Sequence, residues 1–192
     1  KKLKGLNVTN PYKEAVIPLL DEIDDNAKKI QAVNVIKIKD GKLKGFNTDL
    51  LGFLKSLFPF IESHHEQALL LGTGGASKAV YHGLQSMDIA TTMVSRNPQD
   101  NEISYDDIGH EVMQNHQLII NCTPLGMHPK IEAYPKIPYQ ELTGNHLLYD
   151  LIYNPAVTQF LALGDKQGAK ILNGKKMLEI QALESWKIWQ QE

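Results

Sequence analysis

The sequence predicts an α/β protein of two lobes with a cleft between them, the second lobe built on a doubly wound parallel sheet. Three observations carry this. From residue 67 onward, short apolar runs alternate with helical periodicity, the pattern of parallel strands buried on both faces. A glycine-rich turn, Gly72-Thr73-Gly74-Gly75-Ala76-Ser77, joins the first of these runs to the first helix. Before residue 67 the pattern is different, with alternating strands joined by an Asp40-Gly41 turn.

The elements follow in order. Residues 3–8 read as a strand, after which Asn10 is placed to N-cap a helix with Pro11 in its first position and Lys13 in its opening turn. Residues 33–39 and 43–46 form the hairpin, and Asn47-Thr48-Asp49 leads into an apolar helix. Pro59 and the His64-His65-Glu66 cluster interrupt that helix and mark a boundary near 56–66. The chain then divides into a substrate lobe, residues 1–60, a nucleotide lobe, residues 61–173, and a closing helix, residues 174–192, that returns to the first lobe. In the second lobe five strands are expected, at 68–71, 91–94, 118–121, 147–151 and 169–172, with helices at 76–85, 111–115 and 156–163. The closing helix, 175–190, carries apolar residues at Met177, Ile180, Leu183 and Trp186, while Trp186 and Trp189 share a face and read as core packing.

Composition narrows the function classes. Twenty Lys plus Arg against 22 Asp plus Glu leave a formal charge of -2, so no global field holds nucleic acid or an anionic membrane. Any bound anion must be held locally. The single cysteine, Cys122, forms no internal disulfide and points to a reducing, cytoplasmic compartment; it reads as a small buried residue rather than a nucleophile. The most apolar stretch, 50–61, is broken by Lys55 and Pro59 and falls short of a membrane span. Adjacent histidines at 64 and 65 diverge along an extended chain, and no metal is expected. Nothing in the sequence decides between monomer and homodimer or argues for a protein partner.

The glycine turn follows a buried strand and precedes a helix, the context that makes it a dinucleotide-binding, Rossmann-type signal. The first glycine permits the tight turn, the second lets backbone approach a pyrophosphate, and the helix N-terminus offers free N–H groups. Ser77 stands at the third glycine position, giving GxGxxS. After the second strand comes Ser95-Arg96-Asn97, with 96 - 72 = 24 and no acid at the strand end. Arg96 is the only arginine in the chain, and its fork suits a 2'-phosphate dianion, so NADP is the expected cofactor. A solvated surface arginine is the competing explanation.

Lys13 stands at a predicted helix start, where the dipole disfavours a cation, and Asp49, at the start of another helix, is a carboxylate able to orient it. As bare residues, both read first as structural or solvated surface charges, the common case. Read together, NVTNPYK, AVN, NTD, GTGGAS, NCTPLGM, DLIYNPAVT and GKKMLEIQA resemble the shikimate dehydrogenase family, in order and spacing over nearly the whole chain.

The resemblance implies reversible hydride transfer between NADPH and 3-dehydroshikimate, giving shikimate on the route to chorismate and the aromatic amino acids. It makes Lys13 the acid/base residue and Asp49 its partner and a substrate contact. Thr9 and Asn34 would contact the ring, with Tyr153 and Gln181 reaching it from the C-terminal part. Gly72, Gly74, Gly75, Ala76 and Ser77 would lie at the pyrophosphate, and Ser95, Arg96 and Asn97 at the adenosine phosphate. Thr123, Leu151 and Gly174 would line the nicotinamide side. Asp25 matches an acidic position sometimes linked to cofactor, a solvated helix end being its plain alternative.

Two departures stand out. The family usually has Asn-Arg-Thr where this chain has Ser95-Arg96-Asn97, which weakens the 2'-phosphate site while keeping the main contact. The family's opening βαβ stretch, with its Ser-x-Ser carboxylate anchor, is not in this sequence, so the working protein is expected to be longer. A quinate-using relative, a catalytically silent cofactor-binding module and a methylenetetrahydrofolate dehydrogenase-like enzyme are the alternatives. The last fits NVTNPYK and NTD poorly, and a pure binding module has no need of paired Lys13 and Asp49.

Overall fold

Alternating apolar and charged residues after Val33 become an antiparallel hairpin of β3 (Val35–Lys39) and β4 (Lys42–Phe46), closed by Asp40 and Gly41, both at positive φ. The computed structural model describes residues 3–9 and 11–191. With β1 (Gly5–Asn7) and β2 (Glu22–Ile23) the hairpin makes a four-stranded sheet of order β1-β3-β4-β2, in which only β2 runs parallel to its neighbour. Ala27, Val33 and Ile36 form its core beneath Ile17, Leu20 and Ile38.

The expected helix after residue 10 is not formed; Asn10 itself lies outside the described residues. The chain makes turns from 11 to 16, held by Tyr12 N–H on Thr9 O and Val16 N–H on Tyr12 O, and then a 3-10 helix, Ile17–Leu19. Pro18 has no N–H to give Glu14 O, which takes Ile17 N–H at 3.1 Å instead, so an α-helix cannot propagate. Lys13 therefore sits on a turn. Two short elements escaped the sequence reading here: β2, and α1 (Asp25–Ile30), which Asp24 caps by accepting Asn26 N–H at 3.0 Å.

The apolar helix is α2 (Asp49–Leu57), continued by a 3-10 turn, Phe58–Phe60. Beyond it lies a sheet of six parallel strands: β5 (Gln67–Leu71), β6 (Ala90–Val94), β7 (Glu102–Ile103), β8 (Leu118–Asn121), β9 (Leu147–Asp150) and β10 (Lys170–Asn173). The order β10-β9-β8-β5-β6-β7 is doubly wound and reverses between β5 and β8, where such sheets bind ligands beyond the strands' carboxyl ends. The two-residue β7 is the strand beyond the expected five. Between the strands lie α3 (Gly75–Gln85), α4 (His110–Asn115) and α5 (Gln159–Lys166). The last starts three residues later than expected, because Thr158 caps it by accepting Leu161 N–H.

The closing helix, α6 (Lys175–Gln190), packs on α2 and reaches β3, where the Trp189 indole donates to Ile36 O at 3.0 Å. Its apolar pattern is only half used. Met177 is buried, but Leu183 and Trp186 are exposed, and the inward side carries Gln181 and Ser185 instead. Among the described residues no helix is long and apolar enough to cross a membrane.

Candidate active site

Two cavities open beyond the carboxyl ends of the large sheet's strands. The larger, about 810 Å³, runs from Gly72, Gly74 and Ala76 past Ser95, Arg96 and Asn97 to Cys122 and Thr123. The smaller, about 300 Å³, is lined by Thr9, Lys13, Asn34, Asp49, Gly174 and Gln181. They meet at Ala76, Leu151 and Tyr153, which line both.

The smaller cavity is built on an ordered polar network. Asn34, ahead of β3, and Thr48, ahead of α2, lock together: Thr48 N–H donates to Asn34 Oδ1 at 2.8 Å, which aims the Asn34 amide nitrogen at its neighbours. That nitrogen donates to Thr48 Oγ1 at 3.0 Å and Asp49 Oδ1 at 2.9 Å, with Gln181 Oε1 farther away at 3.4 Å. Ser185 Oγ donates to Gln181 O at 2.7 Å and so accepts the Thr48 hydroxyl at 3.2 Å. The chain of donors has one direction, from Asn34 through Thr48 and Ser185 to the α6 backbone. Asp49 keeps Oδ2 for Lys13, whose Nζ donates to it at 2.7 Å. Lys13 is 12% and Asp49 9% exposed, so the pair is largely desolvated and its attraction exceeds that of a surface pair. Thirty-six residues separate them, and the Asn47 side chain, donating to Ala32 O and accepting Leu50 N–H, fixes where α2 starts.

The larger cavity fits a dinucleotide by its own geometry. Gly72 follows β5 at φ +97°, and a Cβ there would stand 2.9 Å from the Thr123 side chain. Gly74 N-caps α3 without a side-chain cap and meets nothing within 4 Å at its Cβ position, leaving the backbone open to a ligand. Arg96 lies exposed at the other end, near enough to Tyr105 to oppose the rise that burial imposes on its phenol.

The structure brings together all but a few of the residues singled out above. Gly75 and Ser77 line neither cavity; the Ser77 hydroxyl donates to Gly74 O at 2.5 Å and ties the turn internally. Gly174 lines the smaller cavity only, packed on the Leu151 carbonyl, with its N–H donating to Ile152 O at 3.1 Å. Asp25 is exposed in the first turn of α1 and lines neither. Lining residues that sequence reasoning missed are Tyr105, Met127 and His128 in the larger cavity and Met177 and Leu178 in the smaller. Met127 closes NCTPLGM and Met177 and Leu178 lie inside GKKMLEIQA without having been singled out as lining residues, whereas Tyr105 and His128 belong to no motif. Among the described residues no group of three or more His, Cys, Asp or Glu side chains could hold a metal ion.

The family model described as shikimate dehydrogenase substrate binding domain matches residues 1–36. The shikimate dehydrogenase (NADP(+)) of Methanosphaera stadtmanae is 37% identical over 97% of this chain and 72% of its own length. The crystal structure of shikimate dehydrogenase from Aquifex aeolicus superposes with TM-score 0.87 at 37% identity, over 98% of this chain and 72% of that one. That of the Thermus thermophilus enzyme, in complex with NADP(H) and shikimate, gives 0.86 at 30% identity over 99% and 74%. The chain belongs to the shikimate dehydrogenase family.

Proposed function

We propose that this protein catalyses the reversible, NADP-dependent reduction of 3-dehydroshikimate to shikimate, a cytoplasmic step toward chorismate and the aromatic amino acids. One observation carries the reading: the desolvated Lys13–Asp49 pair stands in a small polar cavity that abuts a dinucleotide-sized one at Ala76, Leu151 and Tyr153. Its ligands are small molecules, with no nucleic acid or membrane involved.

NADPH supplies the hydride. Gly72, Gly74 and Ala76 would hold its pyrophosphate, Ser95, Arg96 and Asn97 its adenosine phosphate, and Thr123 and Leu151 its nicotinamide end. As the substrate carbonyl becomes an alcohol, negative charge grows on its oxygen, and the Lys13 ammonium both stabilises that charge and gives up the proton. In the reverse direction Lys13 takes the proton back. Asp49 orients the ammonium and accepts from a ring hydroxyl. Gln181 turns its Oε1 toward the Asn34 amide nitrogen at 3.4 Å, which leaves its own amide nitrogen to donate to the ring. Thr9 and Tyr153 close the rim, and their hydroxyls suit a polyol because each donates and accepts.

The test is shikimate-dependent reduction of NADP followed by nicotinamide absorbance, beside NAD and quinate controls and Lys13→Ala. Turnover is expected with NADP and shikimate and is lost in Lys13→Ala, while NADPH still binds. An active Lys13→Ala protein would remove Lys13 from the chemistry, and preferred NAD-linked quinate turnover would overturn the substrate assignment.

A further inference from the structure

β8 and β9 end in polar residues that are fully buried and paired in register, Asn121 opposite Asp150. Among the described residues the Asp150 carboxylate meets no cation. Its Oδ1 accepts Asn121 Nδ2 at 3.1 Å and Ile152 N–H at 3.0 Å, and its Oδ2 accepts the Thr158 hydroxyl at 2.6 Å. Asn121 in turn accepts Thr123 N–H at 3.0 Å and the Thr123 hydroxyl at 2.6 Å, and Thr123 Oγ1 accepts Leu125 N–H at 3.2 Å. One carboxylate thus ties the loop after β8 to the loop after β9. These are the loops that bring Thr123 to the larger cavity and Leu151 and Tyr153 to the place where both cavities meet.

A buried carboxylate without a cation is a costly way to join two loops, which an apolar contact would join more cheaply. What it offers is direction: a carboxylate only accepts, so every donor around it has a single arrangement.

Resting on the function proposed above, we infer that Asp150 is a positioning residue, which fixes the two loops against each other and thereby sets how nicotinamide and substrate ring meet. It touches neither. Asp150→Asn keeps the shape, but its amide accepts at one end only, so Thr158 and the Asn121–Ile152 side no longer share one charged acceptor.

The experiment combines amide hydrogen exchange with kinetics, on wild type, Asp150→Asn and Asn121→Ala. In Asp150→Asn the amides of Thr123, Leu125 and Ile152 should exchange about tenfold faster or more, the scale of a lost charge-assisted bond, with β5 and β6 unchanged. Asn121→Ala should loosen Thr123 and Leu125 and leave Ile152 protected. Asp150→Asn should also lower kcat about tenfold, with NADPH affinity and the KM for shikimate unchanged. Unaltered loops, loss of protection across all strands, or an unaltered kcat would each overturn the inference. A wild-type chain with no turnover would defeat the functional reading instead, and the exchange result would then decide the coupling by itself.

Discussion

Asp150→Asn should make the protein more stable above pH 6, by an amount that vanishes toward pH 4. Burial pushes the Asp150 carboxyl up from 3.8 to about 6, despite its bonds from Thr158, Ile152 and Asn121. Between those values the folded protein keeps a proton that the unfolded chain has released. The stability Asp150 contributes is therefore complete below its unfolded pKa and is lost as pH rises through 6. A rise of that size corresponds to on the order of 3 kcal/mol. The asparagine does not titrate and escapes that cost. The titratable groups that feel the Asp150 charge, Cys122 after β8 and Tyr139 ahead of β9, are both pushed up chiefly by desolvation and stay neutral over this range. Thermal melts of both proteins from about pH 4 to about pH 8 check this; roughly 6–12 °C in Tm is the upper limit for a chain of this size. An Asp150→Asn protein less stable than wild type at the alkaline end, or a difference that ignores pH, would refute the reasoning. Greater stability joined to a lower kcat is the signature of a residue kept for function.

Other substitutions test the remaining parts. Arg96→Leu should raise the KM for NADP about tenfold or more and barely touch NAD, because the guanidinium is the one arginine fork available to a 2'-phosphate; steady-state kinetics with both cofactors reads this out. Asn34→Ala strips donors from Asp49 Oδ1 and Thr48 Oγ1 and leaves Thr48 N–H unpaired, so denaturant titration should show a loss of about 1–3 kcal/mol and kinetics a raised substrate KM. Gly174→Ala drives a Cβ into the Leu151 carbonyl and should cost about 1–3 kcal/mol, with activity falling because that carbonyl's neighbours line both cavities.

What the sequence made readable was what depends on near neighbours. The Asp40-Gly41 hairpin and the Gly72 turn are short-range features, each decided by a backbone conformation that few residues adopt. β2 and β7, two residues each, and the single short helix α1 carry too little periodicity to stand out. The helix expected at Pro11 failed on Pro18, a breaker plainly present but outweighed by the capping pattern before it. Leu183 and Trp186 show the limit of helical spacing, which finds a face without saying what covers it. Lys13 and Asp49 were both singled out, yet their meeting required packing across 36 residues. Asn121 and Asp150 were harder still, since only strand register puts them side by side.

The anchoring of Trp189 on Ile36 bears on the order in which the chain acquires its shape. The bond joins residues 153 positions apart, so the outer side of the small sheet waits for a helix that leaves the ribosome after both sheets have been made. The pairing of β5 to β10 needs no such late arrival, because every strand pairing among them is internal to residues 67–173, although Met177 of α6 completes the core on one face. During synthesis the strands of the nucleotide half can therefore pair while the half that carries Lys13 stays unfinished, and the polar cavity closes last, when Gln181 and Ser185 reach Asn34 and Thr48.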